Sequence, residues 1–214
     1  MIKILHAFIF SRILIAITLA HFLLFGSAQA RTNFTDQDLL VVAMAENAMN
    51  AIRSAQGRFV QLDAQGIRAE GSLYVERPGK LRFEYDAPSP IMVIADGQWI
   101  MQVDRELEEV VHQNIKRSIL YFLLDDYVDF TKGVDLIDVV RLDEVIMITI
   151  QRQNMRDDGY LTLYIDPLSY VMKGWQTLDN QGRRVTVELN NMLYGQKQPA
   201  ELFELPNSYG RDLR

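Results

Sequence analysis

An alternating pattern over residues 71–85, GSLYVERPGKLRFEY, constrains the fold of this chain more than any other feature. Apolar and polar side chains alternate on both sides of Arg77-Pro78-Gly79, which is typical of two strands that each bury one face. Proline fixes φ and lacks an N–H, and glycine tolerates positive φ, so the chain is expected to reverse at this turn. Arg77 places a cation at the end of an apolar strand, and its direction, into solvent or into the apolar space, bears directly on function.

Similar alternating segments recur along most of the chain and predict a β-rich protein with two helices. Thr35, followed three residues later by Asp38, resembles a helix-capping box, and the apolar spacing that follows predicts a helix over about 36–54. A second, leucine-rich helical segment is predicted over about 115–126. The predicted strands cover roughly 56–64, 66–77, 80–86, 90–95, 98–104, 107–113, 136–142, 144–153, 159–166, 170–178 and 183–190.

The number of strands and the short connections predict the overall architecture. Short connections favour antiparallel pairing, and about ten or eleven strands are too many for one flat sheet. The two helices are too few to form a covering layer, so they are expected inside or across the mouth of a curved sheet. The predicted fold class is therefore mainly β (α+β), a strongly curved, incomplete antiparallel β-barrel covered by short helices.

Two predicted strands are apolar on both faces. They lie at 91–94 and 145–150, where no polar residue alternates with the aliphatic ones before Thr149. A strand that is dry on both faces has apolar material packed against its second face. A helix, a partner or a ligand would each provide that material, and the pattern does not choose among them.

Residues 1–30 have the organisation of a secretory signal peptide. Lys3 and Arg12 supply a basic start, an apolar run follows, and Ala28-Gln29-Ala30 fits an A-x-A cleavage site. Cleavage would leave 31–214 as a single exported domain, which is expected to reside in the periplasm. The alternative is an uncleaved membrane anchor, because the apolar character extends back towards the first residues.

The composition excludes several classes of function. The chain has no cysteine, so it forms no disulfide or thiolate metal site, and its net charge of −6 argues against nucleic-acid binding. His112 is the only histidine after residue 30, and no G-x-S-x-G, H-E-x-x-H or P-loop motif occurs. We therefore expect no catalytic residues, no metal and no cofactor, and the chain is not predicted to be an enzyme.

The ordered motifs resemble one known family. EGSLYVERPGKLRFEYDAPSP at 70–90, followed by IMVIADGQWIMQVDRELEEV at 91–110, resembles the outer-membrane lipoprotein carrier (LolA-type) family. GRFVQ at 57–61 is similar to the family's first strand, and FELPNSYG at 203–210 is similar to its C-terminal segment. The resemblance, densest over 55–125, implies an incomplete barrel whose open side is closed by a helical lid.

The resemblance also implies a function and partners. The cavity of the family's half-barrel receives the acyl chains of lipoproteins. An inner-membrane lipoprotein-releasing ABC transporter loads the carrier, which crosses the periplasm. It delivers its cargo to an outer-membrane lipoprotein receptor or to the outer membrane itself. A monomer without a nucleic-acid partner is expected.

Carried over residue by residue, the resemblance assigns a latch, a lid and a cavity. Arg77 matches the family arginine that holds the lid closed, so it is expected to face the concave side and reach the backbone of 123–126; a solvent-exposed arginine is the alternative. The lid residues are Ile119, Leu120, Phe122, Leu123 and Leu124, for which a buried helix is the alternative. The expected acyl-cavity residues are Leu73, Val75, Leu81, Phe83, Met92, Met101 and Met147, for which ordinary core packing is the alternative.

The sequence departs from the family in two places, and other functions remain open. Arg117-Ser118 stands where many members have Thr-Pro before the lid, and the tail after Pro206 is short. A longer tail is thought to restrict handover to the receptor, so a short one fits a system without a separate receptor. A carrier of another lipid or glycolipid fits the same residues. A regulatory sensor that binds lipoprotein or peptide, and an exported hydrolase, are further alternatives.

Overall fold

The computed structural model describes residues 34–153, 159–206 and 209, so the expected signal peptide lies outside the described residues. Helix α1 (Asp36–Ala51) precedes the strands, a one-turn helix α2 (Tyr121–Leu124) interrupts them, and 3-10 turns lie at Ile115–Arg117 and Ala200–Phe203. No helix in these ranges has both the length and the apolar character needed to cross a membrane. The strands are β1 (Ser54–Leu62), β2 (Arg68–Glu76), β3 (Lys80–Tyr85), β4 (Ile91–Asp96), β5 (Trp99–Asp104), β6 (Glu109–Asn114), β7 (Val134–Arg141), β8 (Ile146–Arg152), β9 (Tyr160–Ile165), β10 (Met172–Leu178) and β11 (Arg184–Tyr194).

Within the described ranges, eleven strands form one antiparallel sheet in the order β6-β5-β4-β3-β2-β1-β11-β10-β9-β8-β7. Strands β1 to β6 make one meander and β7 to β11 make another, and the pairing of β1 with β11 joins the two. The edge strands β6 and β7 are consecutive in sequence but lie at opposite ends of the sheet. The predicted fold class, a mainly β protein with a large open antiparallel sheet, is confirmed.

Helix α1 begins where the capping box predicted and ends slightly earlier than expected. The Asp38 amide donates to the Thr35 hydroxyl, and the Thr35 amide donates back to the Asp38 carboxylate at 2.9 Å. The helix ends at Ala51 because Ile52 is already extended and β1 starts at Ser54. The face that packs in the main core carries Val41, Val42, Ala45 and Met49.

The β2–β3 hairpin reverses at the turn that the sequence predicted. Leu73 lies opposite Phe83 across the ladder, and both are buried. Gly79 in the turn has φ +76, and a Cβ placed on it would lie 2.8 Å from the Gly97 Cα in the β4–β5 turn. Glycine alone combines this conformation with so close an approach. The two hairpin ends therefore pack against each other at one end of the sheet.

The main core fills the concave face and shows how strongly the sheet curves. Phe83 of β3 and Trp175 of β10 belong to it, and their ring centroids are 6.1 Å apart. These strands are four positions apart in the sheet order. In a flat sheet they would be separated by about 19 Å, because neighbouring strands lie about 4.8 Å apart. The sheet thus bends back on itself around a shared core.

A second, smaller cluster on the other face explains the doubly apolar strand at 91–94. Val93 and Ala95 contact the main core, whereas Met92 and Ile94 belong to the second cluster. Leu205, from the segment that follows β11, packs against this cluster. A segment of the chain itself, rather than a partner or a ligand, covers the second face of β4.

Candidate functional site

The connection from β6 to β7, residues 115–133, lies over the concave face. Because its two ends belong to opposite edges of the sheet, this connection crosses the open side. Its own residues Leu124, Val128 and Phe130 are buried in the main core. Residues 119–125 are termed the lid below, and residues 126–130 are termed the return segment.

A cavity of about 100 Å³ lies between the lid, the C-terminal end of α1 and the concave face of the sheet. Its wall is almost entirely apolar, and Arg77 is the charged side chain among the described residues that line it. The lining residues are Met49, Ile52, Ala55, Leu73, Val75, Arg77, Leu81, Leu120, Leu123, Leu124, Val171, Met172, Trp175, Leu189, Met192 and Tyr194.

Part of the expected cavity wall lies at the cavity. Leu73, Val75 and Leu81 line it from β2 and β3. Phe83 shares their face of β3 but does not line the cavity, so that expectation is corrected. Its ring packs edge-on against Phe59 at a centroid distance of 4.8 Å, within the main core. Phe83 supports the wall from one layer further along the strand.

The expectation that Met92, Met101 and Met147 line the cavity is wrong. Met92 and Met101 belong to the second cluster, on the face of β4 and β5 that points away from the main core. Met147 is half-buried between Ile146 and Ile148, which both pack in the main core, so its side chain projects from the other face of β8. An apolar side chain predicts burial, but strand parity decides which face it is buried on.

The expected lid residues lie over the cavity or in the core beside it. Leu120, Leu123 and Leu124 line the cavity. Ile119 is buried in the main core, and the Phe122 ring lies 5.2 Å from the ring of Phe130 in the return segment. The helix here is a single turn preceded by a 3-10 turn, which is shorter than the helix predicted over 115–126.

Several cavity residues come from elements that the sequence did not single out. Met49 and Ile52 line the cavity from the end of α1, and Met172 and Trp175 line it from β10. The last two are three positions apart yet share a face, because a register shift lies between Met172 and Gly174. Simple alternation could not have assigned both to the concave side.

Arg77 points into the concave side and is only 7% exposed. Its Nε donates to the carbonyl of Asp125 at 2.8 Å, and its Nη1 donates to the carbonyl of Met49 at 2.7 Å. The remaining acceptors, each at 3.3 Å, are the Ile52 carbonyl, the Asn50 Oδ1 and the Asp126 carbonyl. A guanidinium has five N–H donors, and the five bonds account for all of them.

These bonds make Arg77 the junction of three elements. It belongs to the β2–β3 hairpin, and its acceptors lie at the C-terminal end of α1 and at the end of the lid. The same hairpin holds the lid through a second bond, from the Gly79 amide to the Leu124 carbonyl at 2.7 Å. The contact with the lid backbone lies where the family resemblance implied it, whereas the contacts with α1 were not anticipated.

Backbone dipoles stabilise the buried charge of Arg77. Burial lowers the pKa of Arg77, and the nearby charge of Arg53 lowers it further, while Asp126 and Asp125 oppose these effects. The carbonyls of the last turn of α1 carry the partial negative charge of the helix C-terminus. Separating the hairpin from α1 and the lid would leave the guanidinium without these acceptors.

A second arginine, Arg53, contacts Asp126, the first residue of the return segment, from the solvent side. Its Nη1 donates to the Asp126 carbonyl at 2.6 Å, and its Nη2 pairs with the Asp126 carboxylate. The hydrogen bond from Arg53 lowers the pKa of Asp126 below its ordinary value of 3.8. Across the described ranges, no group of three or more possible ligand side chains is placed to hold a metal ion.

The open sheet, the crossing lid and the apolar cavity define a lidded half-barrel protein. Residues 50–206 match the family described as outer membrane lipoprotein carrier protein LolA. The match covers well over half of the chain. The chain therefore belongs to the LolA family of outer-membrane lipoprotein carriers, whose members are carrier and binding proteins.

Individual relatives are distant. An uncharacterized protein of Rickettsia prowazekii (strain Madrid E) is 30% identical over 105 residues, which cover 49% of this chain and about half (49%) of the relative's own length. An outer-membrane lipoprotein carrier protein of Nitrosospira multiformis is 23% identical over 200 residues, covering 90% of this chain and 93% of the relative. The solved structure of a LolA superfamily protein from Nitrosomonas europaea is 7% identical, with a TM-score of 0.45 over 76% of this chain and 97% of that one.

Proposed function

We propose that this protein is a periplasmic carrier that encloses the acyl chains of lipoproteins and moves them from the inner to the outer membrane. The observation that carries the proposal is an apolar cavity under a lid that the buried Arg77 ties to α1 and the sheet. Membership of the LolA family supports lipoproteins as the cargo.

The hydrophobic effect explains why such a carrier is needed. Each CH₂ group removed from water contributes about 0.8 kcal/mol, so a 16-carbon chain left in water is disfavoured by roughly 12 kcal/mol. A lipoprotein therefore needs a cover to cross an aqueous compartment. Transfer from one apolar enclosure to another changes this term little, so smaller contributions set the direction of transfer.

The size of the cavity requires the lid to move. An engineered cavity of about 150 Å³ in another protein holds one benzene molecule. The cavity here measures about 100 Å³, so a long acyl chain does not fit while the lid stays in the observed position. Loading therefore separates the lid from the concave face.

Arg77 is the proposed latch. Opening removes the lid end from the β2–β3 hairpin, so the guanidinium loses acceptors that it has in the closed form. A buried polar group left without a partner costs about 1–3 kcal/mol, and a charged one costs more. This cost disfavours the open, loaded form and so favours release, without any nucleotide bound to the carrier itself.

The proposal places the carrier between two membranes. Residues 1–30 act as a cleaved signal peptide, and 31–214 work as a single periplasmic domain and as a monomer. An inner-membrane lipoprotein-releasing ABC transporter loads the cavity. An outer-membrane lipoprotein receptor, or the outer membrane itself, accepts the cargo.

Native mass spectrometry of the exported protein, purified from periplasm, tests the class of cargo. We expect a co-purified lipoprotein, visible as an acylated polypeptide after dissociation. A bound phospholipid or glycolipid without polypeptide would assign the protein to carriers of other lipids. A protein that is empty and also takes up no hydrophobic fluorescent probe would overturn the carrier proposal.

Substitution of the latch tests the mechanism. Arg77→Leu is expected to bind lipoprotein but to release it to acceptor membranes at least about tenfold more slowly, because the cost that favours closing is gone. Arg68→Leu is the matched control, since Arg68 begins β2, the strand that Arg77 directly follows, but is exposed. Transfer by Arg77→Leu at the wild-type rate would contradict the latch.

A further inference from the structure

A polar stripe on α1 faces the return segment. Glu46 and Asn50 are four residues apart, so they lie one above the other on the same side of the helix. The Glu46 carboxylate accepts from the Phe130 amide at 3.0 Å. Asn50 makes two bonds of 2.8 Å with Val128, donating from Nδ2 to the carbonyl and accepting at Oδ1 from the amide.

These bonds replace the strand partner that the return segment lacks. A buried backbone amide or carbonyl needs a hydrogen-bond partner. Val128 is fully buried, and the side-chain amide of Asn50 pairs with its backbone as a neighbouring strand would. Alternate residues of the return segment, Val128 and Phe130, meet successive turns of α1. The backbones of Val128 and Phe130 are therefore hydrogen-bonded to the helix rather than to a strand of the sheet.

The lid is joined to the return segment and to the sheet by different groups. The Phe122 ring packs against Phe130 at 5.2 Å, which links the lid to the return segment through an apolar contact. Towards the sheet, the lid is bonded at the β2–β3 hairpin, by the Arg77 guanidinium and by the Gly79 amide. These bonds to the hairpin are the ones that opening would break.

We infer that α1, the lid and the return segment open as one unit, and that Glu46 and Asn50 are the positioning residues that hold this unit together. The inference rests on the proposed function, in which opening is the loading step. Met49 and Ile52 at the end of α1 then belong to the moving roof of the cavity together with the lid leucines. The plane of separation runs between this roof and the β2–β3 hairpin.

Hydrogen exchange of the full chain, resolved at single amides by NMR, tests the inference. The Gly79 amide reports separation of the lid from the sheet, and the Val128 and Phe130 amides report separation from α1. In Arg77→Leu, the Gly79 amide is expected to exchange at least about tenfold faster, while the other two stay within about threefold of wild type. Acceleration of all three amides together would overturn the single unit.

Asn50→Leu provides the second arm, with Asn47→Leu as a matched control on the exposed side of the same helix. Asn50→Leu is expected to speed exchange at Val128 and Phe130 about tenfold and to leave amides of the central strands unchanged, whereas Asn47→Leu changes neither set. Equal protection of Val128 in the two variants would overturn the role of Asn50. An unchanged Gly79 amide in Arg77→Leu would count against the latch, and the Asn50 arm would still decide the present inference.

Discussion

Two irregular segments cover apolar clusters on opposite faces of the same sheet, and they are held in different ways. The lid on the concave face is tied through Arg77 to backbone carbonyls, above a cavity of about 100 Å³. On the other face, the segment after β11 buries Phe203 to 2% exposure and packs Leu205 on the second cluster. One cover is tied by a buried arginine above a void, and the other combines the burial of Phe203 with a hydrogen bond from Arg82 to the Leu202 carbonyl at 3.2 Å.

The difference matters because the two kinds of contact respond differently to a ligand. In the proposed carrier, apolar surface exposed when the lid opens would be covered again by an acyl chain, so the cargo would offset the hydrophobic part of the cost. The N–H donors of Arg77 that opening leaves unmet have no such replacement in the hydrocarbon of an acyl chain. If the segment after β11 moved away, Phe203 would lose its apolar contacts and no ligand would replace them. This difference suits a cover that stays in place.

The static cover gives the largest expected effect on stability. Phe203→Ala removes a fully buried aromatic ring, so the free energy of unfolding is expected to fall by about 3–5 kcal/mol. Urea denaturation measures this loss. Glu204→Ala is the control, because Glu204 is next to Phe203 in the sequence and its side chain is exposed. A loss no larger than that of the control would show that burial of Phe203 does not hold this cover in place.

Filling the void tests the mobile cover with a smaller cost in stability. Val75→Phe adds volume at the cavity wall, so uptake of a hydrophobic probe is expected to fall at least about tenfold, while the free energy of unfolding changes by no more than about 3 kcal/mol. Tyr74→Phe is the control, because Tyr74 adjoins Val75 in β2 and points to the other face. Unchanged probe uptake would remove Val75 from the binding surface.

The exposed pair of Arg53 and Asp126 gives the smallest effect, and pH reveals it. The pKa of Asp126 is lowered in the closed form by its hydrogen bond with Arg53, so the ionised carboxylate stabilises closure above the ordinary value of 3.8. That contribution is lost as pH falls through the lowered value. Exchange at the Gly79 amide is therefore expected to rise more steeply below pH 3.8 in wild type than in Asp126→Asn.

Near neutral pH, Asp126→Asn is expected to speed opening by less than about fivefold, because exposed ion pairs contribute little. High salt should reduce even this difference, since it screens exposed charges. A pH profile that is identical in the two proteins would show that Arg53 does not hold the lid.

Local periodicity predicted the strands of this fold well. Alternation depends on adjacent residues alone, so β3, predicted at about 80–86, is found at Lys80–Tyr85. The direction of the Arg77 side chain could not be predicted in this way, because alternation allows either face. The family resemblance favoured the concave face. Sequence pattern thus gave the elements, and comparison with a family gave the orientation of one side chain.

The missed parts of the site depend on information that is not local. Met92 lies in a strand that is apolar on both faces, and Met101 lies in the strand paired with it; which face of these strands is concave depends on the whole sheet. The acceptors that α1 offers to Arg77 are the carbonyls of Met49 and Ile52, which every residue type carries. Backbone acceptors leave no mark in a sequence, so the junction at Arg77 emerged only with the fold.

Strands β6 and β7 lie at opposite ends of the sheet order, so the described sheet does not close into a barrel. In a closed barrel, the number of strands and their stagger fix the diameter. Here the splay between the two margins can widen or narrow while every ladder bond of the described sheet stays intact. In the proposed carrier, an opening of variable width would let the girth of the half-barrel follow the number and length of the acyl chains.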